Sequence, residues 1–343
     1  KLRGRPLRRS LALWRFFSVA AFKCVRANRT DDDALTNATA AWVQSGLLRL
    51  GPTMIKLGQV FSSRTDLLHP AYCEALVQLQ TAVPSVSGPR VRTLLEEELG
   101  SPLPFDSFDE TPIAGASLGQ VHRAVYNGKQ VAVKIQRAQL QQLFDTDFRN
   151  IRMGCRMMNG MERVRERVRR WRGKGKSAAD RDWMQYAADA ARLLYMEIDY
   201  LNEGKNAEAF AKSLKEVGSS AIVPGVVWEA TTPRVLTMDY IESVKLTDSA
   251  AMDSLKLNRK ALAQKVVDTF LVQLLQTGVL HCDPHPGNLC VSPKGRLVLY
   301  DFGMMDTLPD GTVQGLRRLA FALFGGSANP SDRELEEAGA ELM

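Results

Sequence analysis

The sequence predicts an α+β fold of two lobes, the first β-rich with a helical insertion and the second mostly helical, preceded by a helical extension. Two β-rich runs, Gln120–Tyr126 and Gln130–Ile135, flank Asn127-Gly128, a dipeptide that closes a type I′ hairpin. The stretch His281-Cys282-Asp283-Pro284-His285-Pro286-Gly287-Asn288 is followed by Asp301-Phe302-Gly303, and the apolar run Leu297–Tyr300 reads as the strand that delivers the second acid. Helix start and stop signals frame the chain ahead of the hairpin. With 343 residues, 45% apolar and 24% charged, the chain holds enough apolar material for two lobes and an extension.

Residues 1–108 form the extension. Gly51-Pro52 opens a helix carrying Lys56 and Gln59, because proline is pre-set for a first helical turn, and Val91–Leu99 forms another that Gly100 and Pro102 stop. Residues 109–236 form the first lobe. Period-two alternation in its second strand sends Val131, Val133 and Ile135 to one face and Ala132 and Lys134 to the other. Between Lys134 and the acidic run Glu197–Glu203 lies Arg149–Lys176, a helical insertion with eleven Lys or Arg. Glu162 with Glu166, and Arg163 with Arg167, stack like charges at i,i+4, so this helix wants an anionic partner or water. Gly173-Lys174-Gly175-Lys176-Ser177 reads as a flexible break, without the spacing of a P-loop. Arg234–Ile241 is the last strand and the hinge, and residues 237–343 begin the second lobe. The chain runs forty residues past Gly303, short of a full helical lobe, and reads as a piece of a longer protein.

The chemistry follows from spacing. Asp283 and Asn288 keep the five-residue offset of a kinase catalytic loop, in which the Asp orients the nucleophile's proton and the Asn holds a metal ion. The Asp of D-F-G, here Asp301, makes the second metal contact. Val131-Ala132-Val133-Lys134 matches the strand lysine that engages nucleotide phosphates, and backbone groups at Asp239 and Tyr240 in the hinge would meet adenine. The cofactors this predicts are ATP and Mg²⁺, with Mn²⁺ as the alternative metal. A glycine-rich loop is missing. Pro112–Gln120 contains neither G-x-G-x-x-G nor G-K-[ST], and alanines there narrow the φ/ψ choices that glycines leave open.

Four motifs in order, Lys56-Leu57-Gly58-Gln59, the alanine-rich loop Ala114-Gly115-Ala116-Ser117, Glu197–Glu203, and the catalytic loop with its D-F-G, resemble the UbiB-type atypical kinases, the activity-of-bc-one-complex kinases of prenyl-lipid metabolism. The resemblance implies that the alanine-rich loop and Lys134 bind nucleotide, that Glu203 is the helix partner of Lys134, and that Glu197 pairs with Lys56. By spacing alone Glu197, Asp199 and Glu203 are a solvated acidic face. On one helix the six-residue offset leaves the two glutamates about 120° apart, so they serve different lysines. The resemblance further implies that the Lys56 segment lies where a protein kinase takes its peptide, pointing to a lipid-linked substrate or to ATP hydrolysis. A pseudokinase scaffold for a lipid-biosynthesis complex and a Ser/Thr protein kinase are the alternatives. Two positions depart from the family pattern: Gly115 stands in place of the second alanine, and Gly204 in place of an alanine after Glu203.

Five cysteines without a C-x-x-C pair speak against a disulfide framework or structural zinc, and Cys282, although beside Asp283, reads as a small buried residue. The net charge of +7 is concentrated: residues 1–30 carry nine Lys or Arg and no acid around Leu11–Phe22, too short and too interrupted by Arg15 to span a bilayer. That segment fits an interfacial helix inserting Trp14, Phe16 and Phe17, a helix packed on the kinase core with its basic side solvated, or a leftover of an Arg-rich transit segment. An anionic or prenyl-lipid surface, with lipid-biosynthesis enzymes, therefore ranks above nucleic acid as partner, since no aromatic-interleaved binding motif is present. By resemblance the place is a plastid membrane or lipid-droplet surface, with the mitochondrial inner membrane or a bacterial membrane face as alternatives.

Overall fold

The structure, a computed structural model, describes residues 6–30, 32–80, 89–115, 118–171 and 182–324. Helices α1 (Pro6–Thr30), α2 (Asp33–Leu50), α3 (Pro52–Ser62), α4 (Pro70–Val77) and α5 (Pro89–Leu99) come first. Strands β1 (Ser107–Phe108), β2 (Ala114–Gly115), β3 (Gly119–Tyr126) and β4 (Lys129–Gln136) follow, then α6 (Leu140–Trp171), α7 (Trp183–Glu197) and α8 (Tyr200–Glu216). The remainder is β5 (Val235–Asp239), β6 (Val244–Lys245), α9 (Ser249–Ser254), α10 (Arg259–Val272), β7 (Val279–His281), β8 (Leu289–Val291), β9 (Leu297–Leu299), β10 (Met305–Thr307) and α11 (Asp310–Phe324). The chain separates into two compact units, one of Lys1–Leu94, Glu110–Val121 and Ile135–Ile198, the other of Leu95–Asp109, His122–Lys134 and Asp199–Met343.

The first unit is a helical assembly. Asp32 caps α2 by accepting from the backbone N–H groups of Ala34 and Leu35, and Gly51, at φ 92°, turns the chain so that Pro52 opens α3. Leu13, Leu47, Leu50, Met54, Ile55, Leu76 and Leu79 form one apolar cluster, and Leu118, Phe144, Phe148, Leu194 and Ile198 belong to another. Gly58 is packed so tightly that a β-carbon there would stand 2.4 Å from Leu79 Cδ1. A buried ion pair fastens α1 to α6. Arg9 donates to both carboxylate oxygens of Asp147, at 2.7 and 2.6 Å, and to the Leu50 carbonyl at 2.6 Å.

This packing decides the orientation of α1. Trp14 donates from Nε1 to Asn150 Oδ1 on α6 at 3.0 Å, Phe16 stacks on Trp42 with ring centroids 5.4 Å apart, and Phe16 and Phe17 both pack on the Leu13 cluster. The three aromatics that the sequence offered for membrane insertion are therefore engaged inside the helical unit, and the packed reading of this helix holds. Among the described residues no helix is long and apolar enough to cross a membrane.

The β3–β4 hairpin turns through Asn127 at φ 48° and Gly128 at φ 73°, the pair of positive angles that a type I′ turn requires. Strand order is β1-β3-β4-β5, with β2 on β3. Every residue of β4 from Val131 to Gln136 is buried, so Lys134 sits inside the structure and not on a solvated edge. Downstream, β6-β8-β9 and β7-β10 make two small antiparallel sheets. The segments after His281 and Leu299 are loops, and Leu289, Leu299 and Phe302 beside or within them join Phe210 in one apolar cluster.

Candidate active site

Lys134 and Glu203 meet in the second unit. The lysine Nζ donates to Glu203 Oε1 at 2.6 Å and Oε2 at 2.8 Å, stands 3.4 Å from Asp301 Oδ1, and lies 5.1 Å from the Tyr200 ring centre. Burial disfavours its charge, yet Asp301 and Glu203 outweigh burial and hold its pKa well above the ordinary lysine value. Glu203 occupies the first turn of α8, which Asp199 caps by accepting from the Leu201 and Asn202 N–H groups at 3.1 and 3.3 Å. Gly204 also has a use. A β-carbon there would lie 2.8 Å from Trp228 Cη2, so the missing methyl makes room for an indole that is anchored by its 2.7 Å bond to Glu208.

The loop after β7 is held by its own polar side chains. Asn288 Nδ2 donates to the Asp283 carbonyl and to Asp283 Oδ2, both at 3.3 Å, while the Gly287 N–H donates to His285 Nδ1 at 3.0 Å. Buried His281 supports the loop from below. Its N–H donates to Gln273 Oε1 at 2.8 Å, and its Nε2 faces the Tyr300 carbonyl at 3.2 Å, so Nε2 carries the proton. The His281 and Phe302 rings lie 5.4 Å apart, and Asn206 donates to the Phe302 carbonyl at 2.9 Å. Tyr200, Asn206 and Gln273 were not singled out from the sequence. Gln273 carries no signal in the sequence; its burial in the structure is what reveals it. Asp301 itself adopts φ 62°, in the left-handed region that few non-glycine residues occupy and that Asp tolerates better than most. Such an outlier is worth about 1–3 kcal/mol of strain and is typical of a functional position.

The metal question turns on the donor set. Among the described residues no three His, Cys, Asp or Glu side chains gather into a self-sufficient metal site. An amide oxygen from Asn288 and a carboxylate oxygen from Asp301 would make a hard, incomplete set of the kind that suits Mg²⁺, which keeps its waters and takes the remaining ligands from phosphates. Cys282 is exposed, which corrects the expectation of a buried residue, yet it shows no sign of activation: desolvation of its sulfur and the nearby Asp306 carboxylate raise its thiol pKa.

The hinge is partly committed. The Asp239 N–H donates to the Gly225 carbonyl at 2.8 Å and the Tyr240 N–H to the Gln130 carbonyl at 3.2 Å, while the Arg123 guanidinium lies 4.2 Å from the Tyr240 ring centre. Neither N–H is therefore at hand for a base.

In the first unit Lys56 forms an ion pair with Glu197, both side chains close to nine-tenths buried, and Gln59 donates to the Leu79 carbonyl at 3.1 Å. Glu197 ends α7, whereas Glu203 begins α8. The expectation of two glutamates on one helix is corrected here: Ile198 and Asp199 break it, and Asp199 starts a new helix as its cap. Ala114 and Gly115 form β2, exposed and paired with Val121 and Gln120, while Ala116 and Ser117 lie outside the described residues, as does Gly173–Ser177.

Residues 78–330 match the ABC1 atypical kinase-like domain. The chain belongs to the ABC1 family. It is 38% identical over 332 residues to the chloroplastic protein activity of bc1 complex kinase 8 of Arabidopsis thaliana, covering 93% of this chain and 42% of that protein. It is also 38% identical to kinase 7 of the same series, covering 83% of this chain and 39% of that one, and 39% identical to the uncharacterized protein sll1770 of Synechocystis, covering 86% and 48%. The chain thus spans less than half the length of these relatives. Among solved structures it resembles that of Rv3197 with erythromycin from Mycobacterium tuberculosis, at 27% identity and a TM-score of 0.49, over 82% of this chain and 66% of that one. Membership of the ABC1 family makes the α+β architecture a kinase-like one.

Proposed function

We propose that this chain carries the ATP site of an atypical kinase or ATPase acting in prenyl-quinone or other isoprenoid-lipid metabolism at a membrane surface, with a plastid as its compartment. The observation that carries the reading is Lys134 held by Glu203 and Asp301, in the same unit as the Asp283–Asn288 loop. Lys134, charged throughout the physiological range, is oriented by Glu203 to receive phosphate oxygens. Asp283, tethered by Asn288, accepts the proton of an acceptor hydroxyl or water and fixes its line of attack. Mg²⁺, when bound through Asn288 and Asp301, would neutralise the charge building on the phosphates. The chloroplast relatives support the compartment, and the family resemblance supports the lipid substrate.

Phosphate release and transfer, measured with a quinol-like phenol in anionic liposomes and in parallel on a peptide array, test the proposal. Turnover that depends on Asp283 and rises with the phenol or liposomes supports it. Phosphorylation confined to peptides, or nucleotide binding without turnover, refutes it.

A further inference from the structure

Helix α6 carries a surface that the nucleotide chemistry does not use. At 100° per residue, Met153, Met157, Met161, Val164, Val168 and Trp171 fall within an arc of about 80°. All six are exposed, from 42% at Val168 to 85% at Trp171. Arg149, Arg152, Arg156, Arg163 and Arg167, exposed as well, fill an adjoining arc of about 60° along one edge of the stripe. Glu162 and Glu166 project from the far side, where Glu162 accepts a hydrogen bond from Trp183. At its beginning the stripe opens into a groove of about 520 Å³ between α1 and α6, where Leu7 and Met153 face Ser10, Asn150, Arg149 and Arg152.

We propose that this face of α6 docks on an anionic lipid bilayer. The stripe is about 27 Å long and lies parallel to its row of arginines. A helix lying in a membrane interface needs that arrangement, with apolar side chains at the acyl boundary and guanidinium groups at the depth of the phosphates. Methionine, flexible and polarizable, suits a fluid partner better than a rigid one. Nucleic acid would satisfy the arginines but leave the apolar stripe wet, and a second copy would bring arginine against arginine. The groove beside Met153 then receives a headgroup, its arginines on the phosphate and Leu7 against the chain. The proposal rests on the membrane-surface part of the proposed function and places the contact on α6, away from the internally packed Trp14, Phe16 and Phe17.

Flotation with phosphatidylcholine vesicles, with and without phosphatidylglycerol, tests it. The wild-type protein floats with the anionic vesicles. Met157→Glu with Val164→Glu lowers partitioning by at least about tenfold and removes the salt-resistant part. Arg156→Glu with Arg163→Glu abolishes the preference for phosphatidylglycerol, also by at least about tenfold. Both pairs sit on exposed positions, so circular dichroism and Mg-ATP affinity in solution stay at wild-type values. Wild-type flotation by either double variant overturns the proposal, as does a protein that ignores both vesicles, binds RNA through the arginines, or loses a dimer when the stripe is charged. Flotation that survives in a protein unable to bind ATP sinks the nucleotide reading and leaves this one standing.

Discussion

The Lys134–Glu203 pair can be tested through its non-additivity. Glu203 has a side chain 1% exposed and receives two short bonds from Lys134, whose own side chain is 11% exposed. Lys134→Met keeps much of the stem that packs near Tyr200 but leaves Glu203 buried beside Asp301 without the cation, at a cost of about 3–5 kcal/mol. Glu203→Leu is milder, about 2 kcal/mol, because Lys134 keeps Asp301 at 3.4 Å. Combining the two replaces a buried ion pair by apolar groups of similar volume, and the double variant should lose only about 1 kcal/mol. The coupling is then about 4–6 kcal/mol, readable from urea midpoints at constant m. The double variant should be more stable than Lys134→Met and equally unable to turn over ATP. Stability losses that add to within about 0.5 kcal/mol would show that the pair is not the buried unit described.

The same lysine gives a pH dependence. Its folded pKa is raised, so its stabilisation is complete below the unfolded value of about 10.4 and is lost only as pH rises through the folded value; wild type minus Lys134→Met stability should be flat from pH 7 to about pH 10 and shrink above, and a difference that shrinks on acidification instead would contradict the assignment. Lys56→Ala strands Glu197 nine-tenths buried and should cost about 3 kcal/mol by urea unfolding, whereas an unchanged midpoint would make the pair a surface contact. Gly58→Ala drives a methyl into Leu79 and Leu47 and should cost about 1–3 kcal/mol, with thermal unfolding as the readout and a neutral result as the contrary one.

Spacing along the chain made the local features legible. Asn127-Gly128 encodes its own turn, and Asp283 to Asn288 with Asp301-Phe302-Gly303 encode a loop and a strand end, because short-range backbone chemistry fixes both. Asp199 carried a cap signal as well, a helix-starting acid just ahead of Tyr200–Glu203, and weighing it would have separated Glu197 from Glu203. The bond from Arg9 to Asp147 had no such signal. It joins residues 138 apart, and one arginine in a basic run looks like the next until packing buries it. Helix α1 was ambiguous for the same reason: Trp14, Phe16 and Phe17 suit an acyl layer or an α-helical neighbour equally, and Asn150 and Trp42, far along the chain, decide between them.

Calorimetric titration of Mg-ATP into the wild-type protein and into Asp301→Asn tests the central claim most directly. If Asp301 and Asn288 supply the metal oxygens beside Lys134, the wild type binds only with divalent metal, and the variant loses at least about tenfold in affinity for Mg-ATP. An Asp301→Asn protein that binds Mg-ATP as tightly as the wild type, or a wild type indifferent to the metal, would contradict it.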